Sequence, residues 1–171
     1  MDLEKIRHVD GKVAGLILVV LGVAVIAAGF LFQDTKNEMD FKVLKVIKGD
    51  EAINMVKSIH IGRFEVKSAT VLELEGIGKI RVWIAYADSP STARDMVEKM
   101  KSKVHLYFSS PEDVEINSLK TYKVFGNNRV HYFFSHENQI VWIEFENPDV
   151  DYHRNVVKYL FTEGGMEKYI N

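Results

Sequence analysis

The sequence predicts an α+β protein: a single N-terminal transmembrane helix, then a tandem β-β-α repeat domain with a mainly antiparallel sheet and helices packed on one face. Three observations predict it. Residues 13–32 (VAGLILVVLGVAVIAAGFLF) run for twenty positions without a polar or charged side chain. Residues 79–100 and 139–160 repeat one another, each with Val-Trp-Ile, an aromatic two residues on, and a capping residue before proline. Between and around these units, short alternating apolar stretches are separated by Gly- and Asn-rich turns, the pattern of paired strands.

Residues 1–12 form a tail in which Lys5, Arg7 and Lys12 balance Asp2, Glu4 and Asp10. The apolar run follows at once. At about 1.5 Å per residue it spans roughly 30 Å, the thickness of a bilayer's hydrocarbon core. It is longer than a usual signal-peptide core, and it lacks the polar face of a helix buried in a soluble core, so it reads as a retained anchor. Lys12 abuts the run on one side, whereas Lys36 on the other is flanked by Asp34 and Glu38. That asymmetry favours an internal N-terminus and an extracytoplasmic domain. Gly15, Gly22 and Gly29 recur every seven residues and fall on one stripe of the helix, where a second copy or a partner membrane helix could approach closely. Glycine is also simply common in membrane helices. The expected partners are therefore the lipid bilayer through 13–32 and a helix packed on that stripe.

Residues 33–40 read as a polar connector and 41–171 as one domain, too short for two comfortable cores. Its first element is a strand at 41–47. A short helix follows, with Asp50 as N-cap, Ala52, Val56 and Ile59 on the buried stripe, and Gly62 at its end. The first β-β-α unit, about 66–103, pairs 69–75 with 79–87 through Gly76-Ile77-Gly78 and starts its helix at Ser89-Pro90. Residues 104–108 and 119–125 read as further strands, with Gly126-Asn127-Asn128 as a turn. The second unit, about 130–163, pairs 130–135 with 139–146 and starts its helix at Asn147-Pro148. The helix stripes correspond: Ala93, Met96, Val97 and Met100 against His153, Val156, Val157 and Leu160.

Strand alternation sorts the side chains into two faces. Val82, Ile84, Tyr86, Val130, Tyr132, Phe134, Val141, Ile143 and Phe145 take the face given to the helices. Trp83, Ala85, Ala87, His131, Phe133, Trp142 and Glu144 take the other. Left half-exposed, that second set would be an aromatic groove for a ligand or partner; covered by the 50–59 helix, a loop or the connector, it would be a second core layer.

Catalytic chemistry is not visible. Cysteine is absent, which removes thiolate nucleophiles, disulfides and cysteine-ligated metals. The six histidines include no pair at metal-binding helical spacing; His131 and His136 with Glu137 and Glu144 gather around one hairpin, a weak metal signal. Asn147-x-Asp149-x-Asp151 begins like a calcium loop but has Tyr152 where glycine is needed and Lys158 where the bidentate glutamate belongs. Those acids suit a helix N-terminus instead. Gly76-Ile77-Gly78-Lys79 is too short for a phosphate loop. A net charge of −2 with mixed signs offers no basic stripe, so nucleic acid is not an expected partner, and no cofactor is implied. The expected role is a membrane-anchored interaction or assembly module. The other reading is a ligand-sensing domain or disguised hydrolase, using a groove near Trp83 and Trp142 with His131, His136, Glu144 or Tyr132.

Overall fold

The computed structural model describes residues 41–59 and 65–170. The apolar run 13–32 with Gly15, Gly22 and Gly29, the connector 33–40, and Gly62 lie outside the described residues. The described residues belong to one compact unit. Among the described residues the elements run β1 (Lys42–Lys48), α1 (Gly49–Ile59), β2 (Ala69–Gly76), β3 (Gly78–Tyr86), α2 (Pro90–Val104), β4 (Glu112–Ile116), β5 (Leu119–Gly126), β6 (Arg129–His136), β7 (Gln139–Phe145), α3 (Val150–Thr162) and α4 (Glu167–Ile170). No helix among them is long and apolar enough to cross a membrane.

The strands make a single antiparallel sheet of order β1-β2-β3-β7-β6-β5-β4. Its turns use the residues that left-handed backbone demands: Asn127 and Asn128 both have positive φ (54° and 59°) between β5 and β6, the signature of a tight hairpin turn. The internal repeat is spatial as well as sequential. The β2–β3 and β6–β7 hairpins lie side by side, with β3 against β7 and Trp83 directly opposite Trp142. Both sheet edges are protected against further pairing. β1 carries Lys42, Lys45 and Lys48 and an irregular register between Val43 and Lys45, while β4 is only five residues long and holds Glu112, Asp113 and Glu115.

The predicted alternation is the observed one, and each face carries its own core. Leu72, Ile80, Val82, Ile84, Tyr132, Phe134, Val141, Ile143 and Phe145 pack against Val156, Val157, Leu160 and Phe161 of α3. Val71, Trp83, Ala85, Tyr122, Phe133 and Ile140 pack against Ala52 and Val56 of α1 and Ala93 and Val97 of α2. The α+β class and antiparallel sheet are as expected, and α1 and α2 do share one face. The two repeat helices, however, lie on opposite faces instead of sharing a core. The chain runs from Tyr86 to the cap Ser89 after β3, but from Phe145 to the cap Asp149 after β7, one residue further. In extended chain a single residue reverses the face towards which the backbone leaves.

Three local expectations are corrected. Residues 104–108 are not a strand: Val104 ends α2, and it continues the helical stripe of Ala93, Val97 and Met100 instead of beginning an alternation. The second helix is capped by Asp149, whose side chain accepts from the backbone N–H of Asp151 and Tyr152 at 3.0 and 3.1 Å. Asn147 instead accepts from the Asp149 N–H (2.9 Å) and donates to the Ile77 carbonyl, tying the β2–β3 turn to the start of α3. The first helix begins at Gly49, so Asp50 lies inside its first turn. Ser89 caps α2 as expected, accepting from the Thr92 N–H at 3.1 Å with Pro90 at the first helical position.

Candidate functional site

The residues singled out by sequence form a cross-strand aromatic row. Trp83, Trp142, Phe133 and Tyr122 are consecutive partners across β3, β7, β6 and β5. Phe133 stacks on Trp142 with ring centroids 5.3 Å apart and planes inclined by 12°, and Tyr122 lies 5.2 Å from Phe133. Offset contacts of this kind add to the area they bury. Helices α1 and α2 lie over the row, so Trp83, Ala85, Phe133 and His131 are buried, and Trp142, Ala87 and Glu144 are half-buried at its margin. Ala87 closes the end of β3, its N–H donating to the Asn138 carbonyl at 2.8 Å.

Between α1 and α2 a cleft remains, lined by Val56, Ile59, Trp83, Ala85, Met100, Ile140 and Trp142. It has room for about one water, about 10 Å³. A drug-sized ligand needs a site more than an order of magnitude larger. The aromatic set is thus organised as a core layer with a narrow opening.

His131 sits at the polar end of the row, and both its ring nitrogens are engaged. Trp142 Nε1 donates to His131 Nδ1 at 3.2 Å, and His131 Nε2 lies 3.2 Å from the Gly126 carbonyl, which can only accept. This pattern assigns the neutral Nε2–H tautomer. Phe108 closes the site from above, its ring centroid 4.9 Å from His131 and 5.3 Å from Trp142. Glu144 Oε2 lies 3.9 Å from His131 Nδ1, but Glu144 is already paired with Arg129, which also reaches Glu146 at 3.2 Å. An imidazole with both nitrogens occupied and no exposed surface is a structural group and not a poised general base.

His136, Tyr132 and Glu137 do not join this centre. Tyr132 lies on the opposite face with a buried hydroxyl that has no hydrogen-bond partner among the described residues, and His136 packs near Phe161 there. Among the described residues no group of three or more His, Asp or Glu could hold a metal ion. His153 fills the first turn of α3 as a packed residue, stacked on Phe145 at 4.1 Å, with Nε2 donating to the Asn147 carbonyl at 2.9 Å.

A second polar cluster escaped the sequence reading. Tyr122 Oη donates to Glu98 at 2.6 Å, Lys120 reaches the same carboxylate at 3.1 Å, and the Lys101 ammonium lies 4.2 Å from the Tyr122 ring centroid. The Tyr122 and Lys120 hydrogen bonds hold the Glu98 carboxyl below its ordinary range, and burial raises the Tyr122 phenol. Glu98 and Lys101 are neighbours on α2, but Tyr122 and Lys120 come from β5 and Asp113, to which Lys101 donates at 2.9 Å, from β4, so only tertiary structure assembles the group. It pins α2 to the β5 side of the sheet.

Burial holds both His131 and His153 below the ordinary imidazole range, outweighing the hydrogen bonds to the carbonyls of Gly126 and Asn147. The unfolded chain therefore takes up protons at these positions near pH 6.5, where the folded chain does not, and stability is lost as pH falls below about 6.5. Thermal unfolding should show a midpoint that is flat above about pH 7 and falls towards about pH 5. The His131→Gln, His153→Gln double variant should flatten that slope; an unchanged slope would mean other groups carry it.

No family model matches the chain, and no curated protein matches it. Among solved structures, the chain is similar to a GTP-binding regulator from Thermotoga maritima at 15% identity, over 72% of this chain and 79% of that one, with a TM-score of 0.43.

Proposed function

We propose that this chain is a single-pass membrane protein whose α+β domain is an interaction or assembly module held outside the cytoplasm. The observation that carries the reading is the uninterrupted apolar run at 13–32, which is long enough to span a bilayer as one helix. The in-line Gly15, Gly22 and Gly29 supply a packing stripe for a second copy or a partner helix. The domain adds support by what its residues are used for: the aromatic row is spent on packing α1 and α2, and His131 has no free nitrogen. The ligand-sensing and hydrolase reading finds no support in a cleft with room for about 10 Å³.

The test is made on the full chain in native membranes. Alkaline extraction should leave it in the membrane pellet, and protease added to sealed cells should digest the domain. Cross-linking should capture a second copy or a membrane partner, and Gly22→Leu should abolish that product. Release by alkali would overturn the anchor, protection of the domain would reverse the orientation, and a Gly22→Leu pattern identical to wild type would remove the helix stripe from the assembly.

A further inference from the structure

The turn after α2 exposes apolar side chains that folding does not require. His105, Leu106 and Tyr107 are exposed in succession, and Leu106 and Tyr107, at 63% and 67%, are the most exposed large hydrophobic residues described. The turn is not slack. N–H groups of Tyr107 and Phe108 donate to the Val104 carbonyl at 3.1 and 3.0 Å, and that of Leu106 to the Lys103 carbonyl at 3.1 Å. Phe108 points inward as a bolt, with its ring over His131 and Trp142 and so close to Gly126 that an added Cβ would lie 2.4 Å from it. Ser109 then locks the turn to β5 by two bonds of 2.8 Å, one to the Phe125 carbonyl and one from the Phe125 N–H, which brings a further exposed aromatic, Phe125, alongside.

The charges around this tip are not balanced. Lys101 is held by Asp113, Lys120 by Glu98 and Lys123 by Glu112, so these three acids already have internal partners, and Asp95, one turn before Lys99 on α2, offsets only one of the remaining lysines. Lys99 and Lys103, both exposed, form no ion pair among the described residues. The tip is an apolar point of two or three side chains with surplus positive charge behind it. A stable protein interface buries about 800 Å² per partner, far more than such a point offers. An interfacial membrane contact asks for what is present: aliphatic and tyrosyl side chains at headgroup depth, and lysines above anionic lipid.

We propose that the 105–108 turn is a second membrane contact, in which Leu106 and Tyr107 insert at the interface of an anionic bilayer while Lys99 and Lys103 face its phosphates. The inference rests on the membrane-anchored reading, because a contact this small is effective when a tether keeps its local concentration high.

The absence of cysteine makes the test direct. Full-length chains carrying Tyr107→Cys, or Ser91→Cys at the exposed N-terminal end of α2, opposite the turn, as control, are labelled with a fluorophore and reconstituted into vesicles containing anionic phospholipid. The label at 107 should be quenched by spin-labelled lipid and shielded from aqueous iodide, and the label at 91 the reverse. The ratio of lipid to aqueous quenching at 107 should fall roughly fivefold for each of Lys99→Ala and Lys103→Ala, and roughly 25-fold in purely zwitterionic vesicles, where both lysines lose their partners. Equal aqueous quenching at 107 and 91 would overturn the inference. So would a label at 107 shielded from both quenchers, which would report contact with protein. Alkaline extraction of the same vesicles reads the anchor separately. Retention with an aqueous label at 107 overturns the tip alone, and release with aqueous labels at both positions overturns both.

Discussion

Phe133→Ala is expected to lower the unfolding free energy by about 3–5 kcal/mol, the largest effect of any single truncation on the aromatic face. The ring is fully buried, stacked on Trp142 and in contact with Tyr122, beneath α2. Its removal deletes contacts on both sides and leaves a cavity that β6, held between β7 and β5, cannot collapse to fill. Urea unfolding monitored by far-ultraviolet circular dichroism should show a lower midpoint with an unchanged slope. A loss below about 1 kcal/mol would mean that the row is loosely packed, and with it the case for a core layer over a ligand groove would fail.

The second large effect is expected at Gly126. Valine there would place Cβ only 2.4 Å from Phe108 Cδ1, so the Phe108 ring must move. Displacing it uncovers Trp142 and His131 and costs about 1–3 kcal/mol as overpacking. A double-mutant cycle isolates the cause. With Phe108→Ala in the background, Gly126→Val should cost much less than it does alone, because the space is then vacant. Strict additivity of the two changes would show that Gly126 acts through its own backbone and not through the Phe108 ring. Trp142 fluorescence should shift to the red in both single variants as water reaches the indole.

Much of this architecture is legible residue by residue. Alternation in Lys79–Tyr86 and Gln139–Phe145 assigns every side chain to the correct face, since a strand's period of two is a property of its backbone. Ser89-Pro90 announces a helix start, and Asn127-Asn128 a turn, because each satisfies a local backbone requirement. The errors fall where local signals compete. Val104, Leu106 and Phe108 alternate like a strand, yet Val104 completes the stripe of α2, while Leu106 faces solvent and Phe108 turns inward. β4 carries no strand signal of its own, since Glu112, Asp113 and Glu115 have low strand preference and it becomes a strand only through pairing with β5.

Local pattern is enough to assign the strand faces, the hairpins, the repeat with its two tryptophans on one face, and an apolar run with the length of a membrane span. Each follows from covalent periodicity or from the chemistry of a few adjacent residues. Tertiary structure alone decided that α2 and α3 take opposite faces, that α1 and α2 cover the aromatic row, and that His131 is locked between Trp142 and Gly126. The reason is geometric: a one-residue difference in a connector, or the approach of a helix from elsewhere in the chain, changes burial without changing any local pattern.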